Sequence, residues 1–192
     1  WSVLHDPQGL INLMGGRENY VRKMDQIFTS DPSSDYSYYG FKIHEILEME
    51  IGGMGQYAHG NQPVQHAIYL YNYAQEPWKT QEKVRYVMDN LYGSGADGYC
   101  GDEDNGQTSA WFVFSSLGFY PVAPVTGQYV IGSPLFEEVT IELSNGKELK
   151  INAKNNSAKN IFIKDFNFNQ LQYNKNWLDH ADLREGGVID FE

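Results

Sequence analysis

At 192 residues the chain has room for one good core, or for one large and one small module. Hydrophobic residues at 41% and charged residues at 20% exclude a disordered chain. A net charge of −11 excludes the basic face that a nucleic-acid partner would need, and leaves neutral ligands, cationic ligands or divalent cations.

Asp6-Pro7 is a helix-start signal, and Leu10, Leu13 and Met14 follow at helical spacing until Gly15-Gly16. A second helix carries Tyr20, Val21, Met24, Ile27 and Phe28 on one face. A Ser, Asp, Pro and Tyr-rich connector then runs from Thr29 to Phe41. Next, His44-Glu45-Ile46-Leu47-Glu48 superficially resembles the zinc motif H-E-x-x-H, but Glu48 replaces the second His and no third ligand follows. If the segment is helical, His44 and Glu48 share a face and Glu45 points aside. The run Gln56-Tyr57-Ala58-His59-Gly60-Asn61-Gln62-Pro63 offers oxygen ligands suited to Ca²⁺ if a carboxylate such as Glu48 lies nearby. Asn61 and Gln62 equally suit helix capping.

Pro63 is expected to open a third helix with Val64, Ala67, Ile68 and Tyr71 inward and His66 structural. Glu76-Pro77 ends it, and Thr80 is expected to cap a fourth helix burying Val84, Val87, Met88 and Leu91. A fifth runs from about Ser109 to Leu117. Just before it stands Gly101-Asp102-Glu103-Asp104-Asn105-Gly106-Gln107, three consecutive carboxylates in a glycine-flanked loop. Such crowding suits a bound cation, a handled proton or an exposed acidic loop, and aromatic and apolar flanks favour the first two. In an extended loop Asp102 and Asp104 would face one cleft, with Glu103 turned away. Trp78, Tyr92, Tyr99 and Trp111 suit either a sugar platform or a core.

After Pro121 the pattern changes. Val139, Ile141 and Leu143 alternate, Ser144-Asn145-Gly146 turns, and Leu149, Ile151 and Ala153 alternate again, a β-hairpin pattern. Strands are also expected around Ile161, Ile163, Phe166 and Phe168, and at Val188–Phe191. The fold class is therefore mainly α with a C-terminal β part. Residues 1–123 form the helical portion and 124–192 an antiparallel β region. The chain begins at Trp1 without an initiator Met, a signal peptide or a long apolar run, as expected of a piece of a larger protein. Cys100 is the single cysteine, so no internal disulfide forms.

Taken in order, these pieces resemble glycoside hydrolase family 92. The resemblance rests on His44-Glu45, Gly55 to Pro63, Tyr69 to Ala74, Pro77 to Gln81, Gly101 to Gln107, Ser109-Ala110-Trp111, Leu117 to Pro121 and Tyr129 to Pro134. It implies an exo-acting, Ca²⁺-dependent, inverting α-mannosidase acting on mannose-containing oligosaccharides such as mannans or N-glycans. It implies an N-terminal β-sandwich and an (α/α)6 barrel, of which this chain would be the last portion. Residue by residue, it makes Asp104 the catalytic base with Asp102 as its close partner or substitute. Glu48 and Asn61 become Ca²⁺ ligands, and His44, Glu45 and Gln62 become substrate-binding, with the His-Glu pair accompanying α-1,2 linkage preference. A periplasmic or extracellular location follows. Asn105 departs from the Cys common in relatives. The family's general acid, a Glu in a Glu-x-Asn-Ala-Trp-Gln segment, would precede Trp1, so the chain alone is expected to be inactive. The competing reading is a non-catalytic carbohydrate-binding or interaction fragment.

Overall fold

Asp6 caps the first helix as its residue type predicts. In the computed structural model, which describes residues 1–192, its carboxylate accepts from the Gly9 N–H at 2.8 Å ahead of α1 (Pro7–Leu13). Helix α2 (Arg17–Thr29) buries Tyr20, Val21 and Met24 on its periodic face. The connector that follows is irregular, and α3 (His44–Gly52) then carries the His-Glu pair at its start.

The expected third helix takes another form. Pro63 lies in a 3-10 turn, Gln62–Val64, and a second 3-10 stretch covers Ala67–Asn72. All six residues of that second stretch are buried, so it has no wet face and no reason to keep a 3.6-residue stripe. Thr80 does not cap the next helix. Helix α4 (Pro77–Asn90) starts three residues earlier, because Pro77 has its φ preset for the first helical position and no N–H to leave unpaired. Thr80 is instead buried inside α4 and donates its hydroxyl proton to the Ile68 carbonyl at 2.8 Å, pinning α4 to the 3-10 stretch. Helix α5 (Gln107–Leu117) begins at the end of the acidic loop, two residues before the expected Ser109.

Eight strands follow: β1 (Phe119–Tyr120), β2 (Gln128–Ile131), β3 (Glu138–Glu142), β4 (Glu148–Asn152), β5 (Phe166–Phe168), β6 (Leu171–Gln172), β7 (Trp177–Asp179) and β8 (Gly187–Phe191). The short helix α6 (His180–Leu183) separates the last two. The expected hairpin is β3 and β4, paired Val139 to Ile151 and Ile141 to Leu149. The region is not wholly antiparallel. In the sheet ordered β3-β4-β8-β5-β6, strand β8 runs parallel to β4. The long stretch of chain between them is what a parallel pair requires and a tight turn cannot supply. Ile161 and Ile163 lie outside any strand, since the Ile163 N–H is taken by the Gln81 side-chain oxygen at 3.2 Å.

Two apolar clusters fill the interior. The larger gathers the helices around Tyr20, Met24, Ile68, Tyr69, Val84 and Trp111, and the smaller lies against the second sheet around Ile151, Leu178 and Ile189. The β1–β2 ribbon joins them, because successive strand residues point to opposite faces. Phe119 and its partner Ile131 enter the smaller cluster, whereas Tyr120 and Val130 enter the larger. This stitching fixes the helical part, and the acidic loop it carries, relative to the sheets.

Candidate active site

The acidic loop lies against the Gly60 segment backbone to backbone. A Cβ on Gly101 would stand 2.5 Å from both Cα and O of Gly60. A Cβ on Gly60 would stand 2.6 Å from the Cys100 carbonyl and 2.7 Å from Oε2 of Glu48. Two glycines thus let three separate segments meet: α3 through Glu48, the stretch before Pro63, and the loop before α5.

Polar side chains then hold the loop. The Asp102 carbonyl accepts from Gln62 Nε2 at 2.6 Å and from Thr108 Oγ1 at 2.8 Å. Thr108, fully buried, in turn accepts from Gln62 Nε2 and Gln65 Nε2, both at 3.2 Å. Beneath lies His59, whose two ring nitrogens meet the hydroxyls of Tyr57 at 2.8 Å and Tyr92 at 2.9 Å. Burial drives its pKa down to about 3, so it is a neutral strut rather than an acid or a base. None of Thr108, Gln65 and His59 stood out as functional in the sequence. A Thr in the first turn of a helix after an acidic loop was the available signal.

The carboxylates divide their roles. Glu103 folds back on α5: Oε2 accepts from the Gly106 N–H at 2.7 Å and Oε1 from the Ser109 hydroxyl at 2.5 Å. These bonds, the Ser109 hydroxyl first, hold its pKa below the ordinary glutamate range, and they serve orphan donors at the helix start. Glu103 therefore turns back onto α5, and the loop is not extended. Asp104, Asn105 and Gly106 all have positive φ, 51°, 57° and 95°, which turns the chain sharply into α5. Asp102 and Asp104 are exposed, and neither carboxylate bonds to another protein group. A carboxylate whose proton affinity falls on folding adds stability above its unfolded pKa, and that contribution disappears as pH drops through the lowered folded value. The wild type should accordingly melt above Glu103→Gln at pH 7, and thermal melts should show the gap closing below about pH 4.

On the opposite wall His44 Nδ1 meets Glu48 Oε1 at 3.0 Å, and Nε2 lies 3.4 Å from Glu45 Oε1. The Glu48 bond, with help from Glu45 and Asp102, raises the His44 pKa. Asn61 makes no cap hydrogen bond, so its side chain is free of the capping role the sequence allowed. Gln62 spends its NH₂ on the loop and keeps its side-chain oxygen unbonded. Burial pushes the Cys100 thiol up to about 11, which removes it as a nucleophile at neutral pH. Trp111 is fully buried and stacked on Tyr92 at 5.8 Å, so it belongs to the core, whereas Tyr99 and Trp78 remain about half exposed. His66 is buried and bonds the Trp1 carbonyl at 3.1 Å.

The whole chain, residues 1–192, matches the glycosyl hydrolase family 92 catalytic domain. It belongs to that family. It superposes on a family 92 inverting mannosidase of Bacteroides thetaiotaomicron with a TM-score of 0.84 and 54% identity, covering 100% of this chain and 26% of that one. A second family 92 α-mannosidase of the same organism, solved with mannoimidazole, gives a TM-score of 0.81 and 39% identity over 92% of this chain and 22% of that one. An uncharacterized secreted glycosidase of Arthroderma benhamiae is 28% identical over 98% of this chain and 22% of its own length. The chain thus spans about a quarter of its relatives. No helix is long and apolar enough to cross a membrane.

For a family 92 chain the question of a cation arises at this wall. Near Gly60 stand a carboxylate oxygen of Glu48 and the Cys100 carbonyl, and Asn61, next in the chain, has an amide that makes no cap bond. All are hard oxygens, the chemistry Ca²⁺ takes. No group of three or more His, Cys, Asp and Glu side chains gathers that could hold a metal ion, so a cation here would rest on main-chain and amide oxygens beside the Glu48 carboxylate.

Proposed function

We propose that this chain forms the base-bearing, cation-binding wall of an exo-acting, inverting α-mannosidase, with its helices contributing the last part of an (α/α)6 barrel. The substrate is a terminal α-1,2-linked mannose on a mannan or N-glycan, met in the periplasm or outside the cell. The observation that carries this reading is the juxtaposition of α3, the Gly60 segment and the acidic loop across two glycines, with the loop's main chain clamped and Asp104 left unencumbered. The 54% identity to an inverting mannosidase supports it.

In inversion, water attacks the anomeric carbon on the face opposite the leaving oxygen. Asp104 accepts the proton from that water as the new C–O bond forms and the glycosidic bond breaks. Asp102, two residues away, is its close partner in the loop. The leaving oxygen takes its proton from a carboxylic acid outside residues 1–192. His44 and Glu45 contact the leaving sugar, and Gln62 holds the loop through its NH₂ while its oxygen meets the substrate. Glu48 and Asn61 would hold Ca²⁺, which when bound supplies a fixed positive charge for sugar hydroxyls.

The complete gene product carrying this chain should release mannose from α-1,2-mannobiose with Ca²⁺ present. By NMR the first product should be the β-anomer, and a chelator should abolish release until Ca²⁺ is restored. Failure to release any mannose with Ca²⁺ would leave the non-catalytic carbohydrate-binding reading in its place.

A further inference from the structure

Thr108 stands in the first turn of α5, fully buried, and all of its polar atoms are engaged. Its N–H donates to the Glu103 carbonyl at 3.1 Å, and its own carbonyl accepts from the Tyr92 hydroxyl at 3.4 Å. Its Oγ1 donates to the Asp102 carbonyl at 2.8 Å and accepts from Gln62 Nε2 and Gln65 Nε2, both at 3.2 Å. A hydroxyl has one proton and two lone pairs, so this one is saturated.

Saturation at Thr108 fixes its neighbours as well. Gln62 Nε2 carries two protons, one on Thr108 Oγ1 and the other on the Asp102 carbonyl at 2.6 Å. Turning that amide over would set its oxygen against the Asp102 carbonyl, acceptor facing acceptor. The amide therefore has one orientation, nitrogen toward the loop and Oε1 left unbonded. Gln65 is held from behind. Its Nε2 also bonds the His59 carbonyl at 3.3 Å, and its Oε1 accepts from Gln107 Nε2 at 3.3 Å, which bonds the Tyr120 hydroxyl at 2.9 Å as well. A chain of amides thus runs from Tyr120 in the core to Thr108, where it branches to the loop and to Gln62. Without the hydroxyl, one N–H of Gln62 and one of the fully buried Gln65 would lose their partner together.

We propose that Thr108 is a positioning residue for glycoside hydrolysis: its one hydroxyl sets both the path of the base-bearing loop and the direction of Gln62 Oε1. Base and sugar contact then take their places together, although Thr108 itself is fully buried and meets neither water nor sugar. This role rests on Asp104 as the base and on Gln62 as a sugar contact. It predicts that the hydroxyl matters to catalysis beyond what it adds to the fold. Thr108→Ser keeps all three hydroxyl bonds and loses a methyl group, whereas Thr108→Val keeps the branched shape and loses all three.

These two variants of the complete gene product test it, by kinetics on α-1,2-mannobiose and by backbone hydrogen exchange. Each deletes a group from an enclosed position, so both should melt below the wild type. Activity should separate them. Thr108→Val should lower kcat by ~10²-fold, as a shift of about 1 Å in a catalytic group does, and raise KM about tenfold, the worth of one to two hydrogen bonds. Thr108→Ser should restore most of both. Residues 101–106 should exchange faster in Thr108→Val and at the wild-type rate in Thr108→Ser. Gln62→Leu, at a partly buried position, is the second variant, and it should lower kcat as well as raise KM because it also releases the Asp102 carbonyl. Equal kcat in Thr108→Val and Thr108→Ser would overturn the role, and so, if Thr108→Val does not fold, would wild-type kcat in Gln62→Leu. Wild-type kcat in both Asp104→Asn and Asp102→Asn removes the base assignment instead. Exchange then decides, and equal loop protection in the two Thr108 variants overturns the clamp on its own.

Discussion

Asp104→Asn in the complete gene product should lower kcat by ~10²–10⁴-fold, the usual worth of a positioned general base, while the melting temperature stays where it was. The contrast follows from the site. Asp104 is exposed and its carboxylate bonds to no protein group, so the fold does not depend on it. Asn is the right replacement because residue 104 sits at φ 51°, a left-handed conformation that Asn tolerates and Ala does not. The amide keeps shape and backbone but cannot take a proton from water. Asp102→Asn should cost less, since Asp102 serves the loop through its main-chain carbonyl, which the substitution leaves in place. Steady-state kinetics of both variants on α-1,2-mannobiose decide the assignment. A larger loss at Asp102 moves the base there, and wild-type kcat in both removes the loop from the chemistry.

Much of this architecture was legible in the residues. Asp6-Pro7 and the stripe from Tyr20 to Phe28 define α1 and α2 because local capping and burial on one face agree. The alternation on both sides of Ser144-Asn145-Gly146 defines the β3–β4 hairpin for the same reason. The misreadings fall where tertiary packing overrides a local pattern. Residues 67–72 are enclosed on every side, so their hydrophobicity carries no phase, and periodicity predicted an amphipathic helix where a buried 3-10 stretch runs. Thr80 has the chemistry of a cap, but it is enclosed and bonds Ile68 instead. The parallel β4–β8 pair depends on contacts far apart in the chain, which no local pattern records. At the site, the sequence singled out the acidic loop and the Gly60 segment but could not show which way their side chains point. The positive φ values at Asp104, Asn105 and Gly106 bend the loop that alternation treated as extended. Glu103, read only as turned away, is the carboxylate that anchors α5.

Gly101→Ala should be nearly as damaging to activity as loss of the base, although it removes no functional group. A Cβ at residue 101 would enter within 2.5 Å of the Gly60 backbone, and backbone cannot rotate away as a side chain can. The loop must therefore lift, stretching the bonds from Gln62 and Thr108 to the Asp102 carbonyl and moving Asp104 with it. A displacement of about 1 Å in a catalytic group costs ~10²-fold in rate, and overpacking costs ~1–3 kcal/mol in stability. The variant should thus lose kcat and melting temperature together, which separates it from Asp104→Asn. Gly60→Ala should do the same from the other side and should also weaken Ca²⁺ binding, because its Cβ would meet Glu48 and the Cys100 carbonyl at once. Calorimetric Ca²⁺ titration of the two variants distinguishes the walls: Gly60→Ala should raise Kd for the ion more than Gly101→Ala does. Equal and unchanged affinities would show that the oxygens around Gly60 do not hold the cation, and wild-type kcat in Gly101→Ala would show that the two-glycine contact does not position the base.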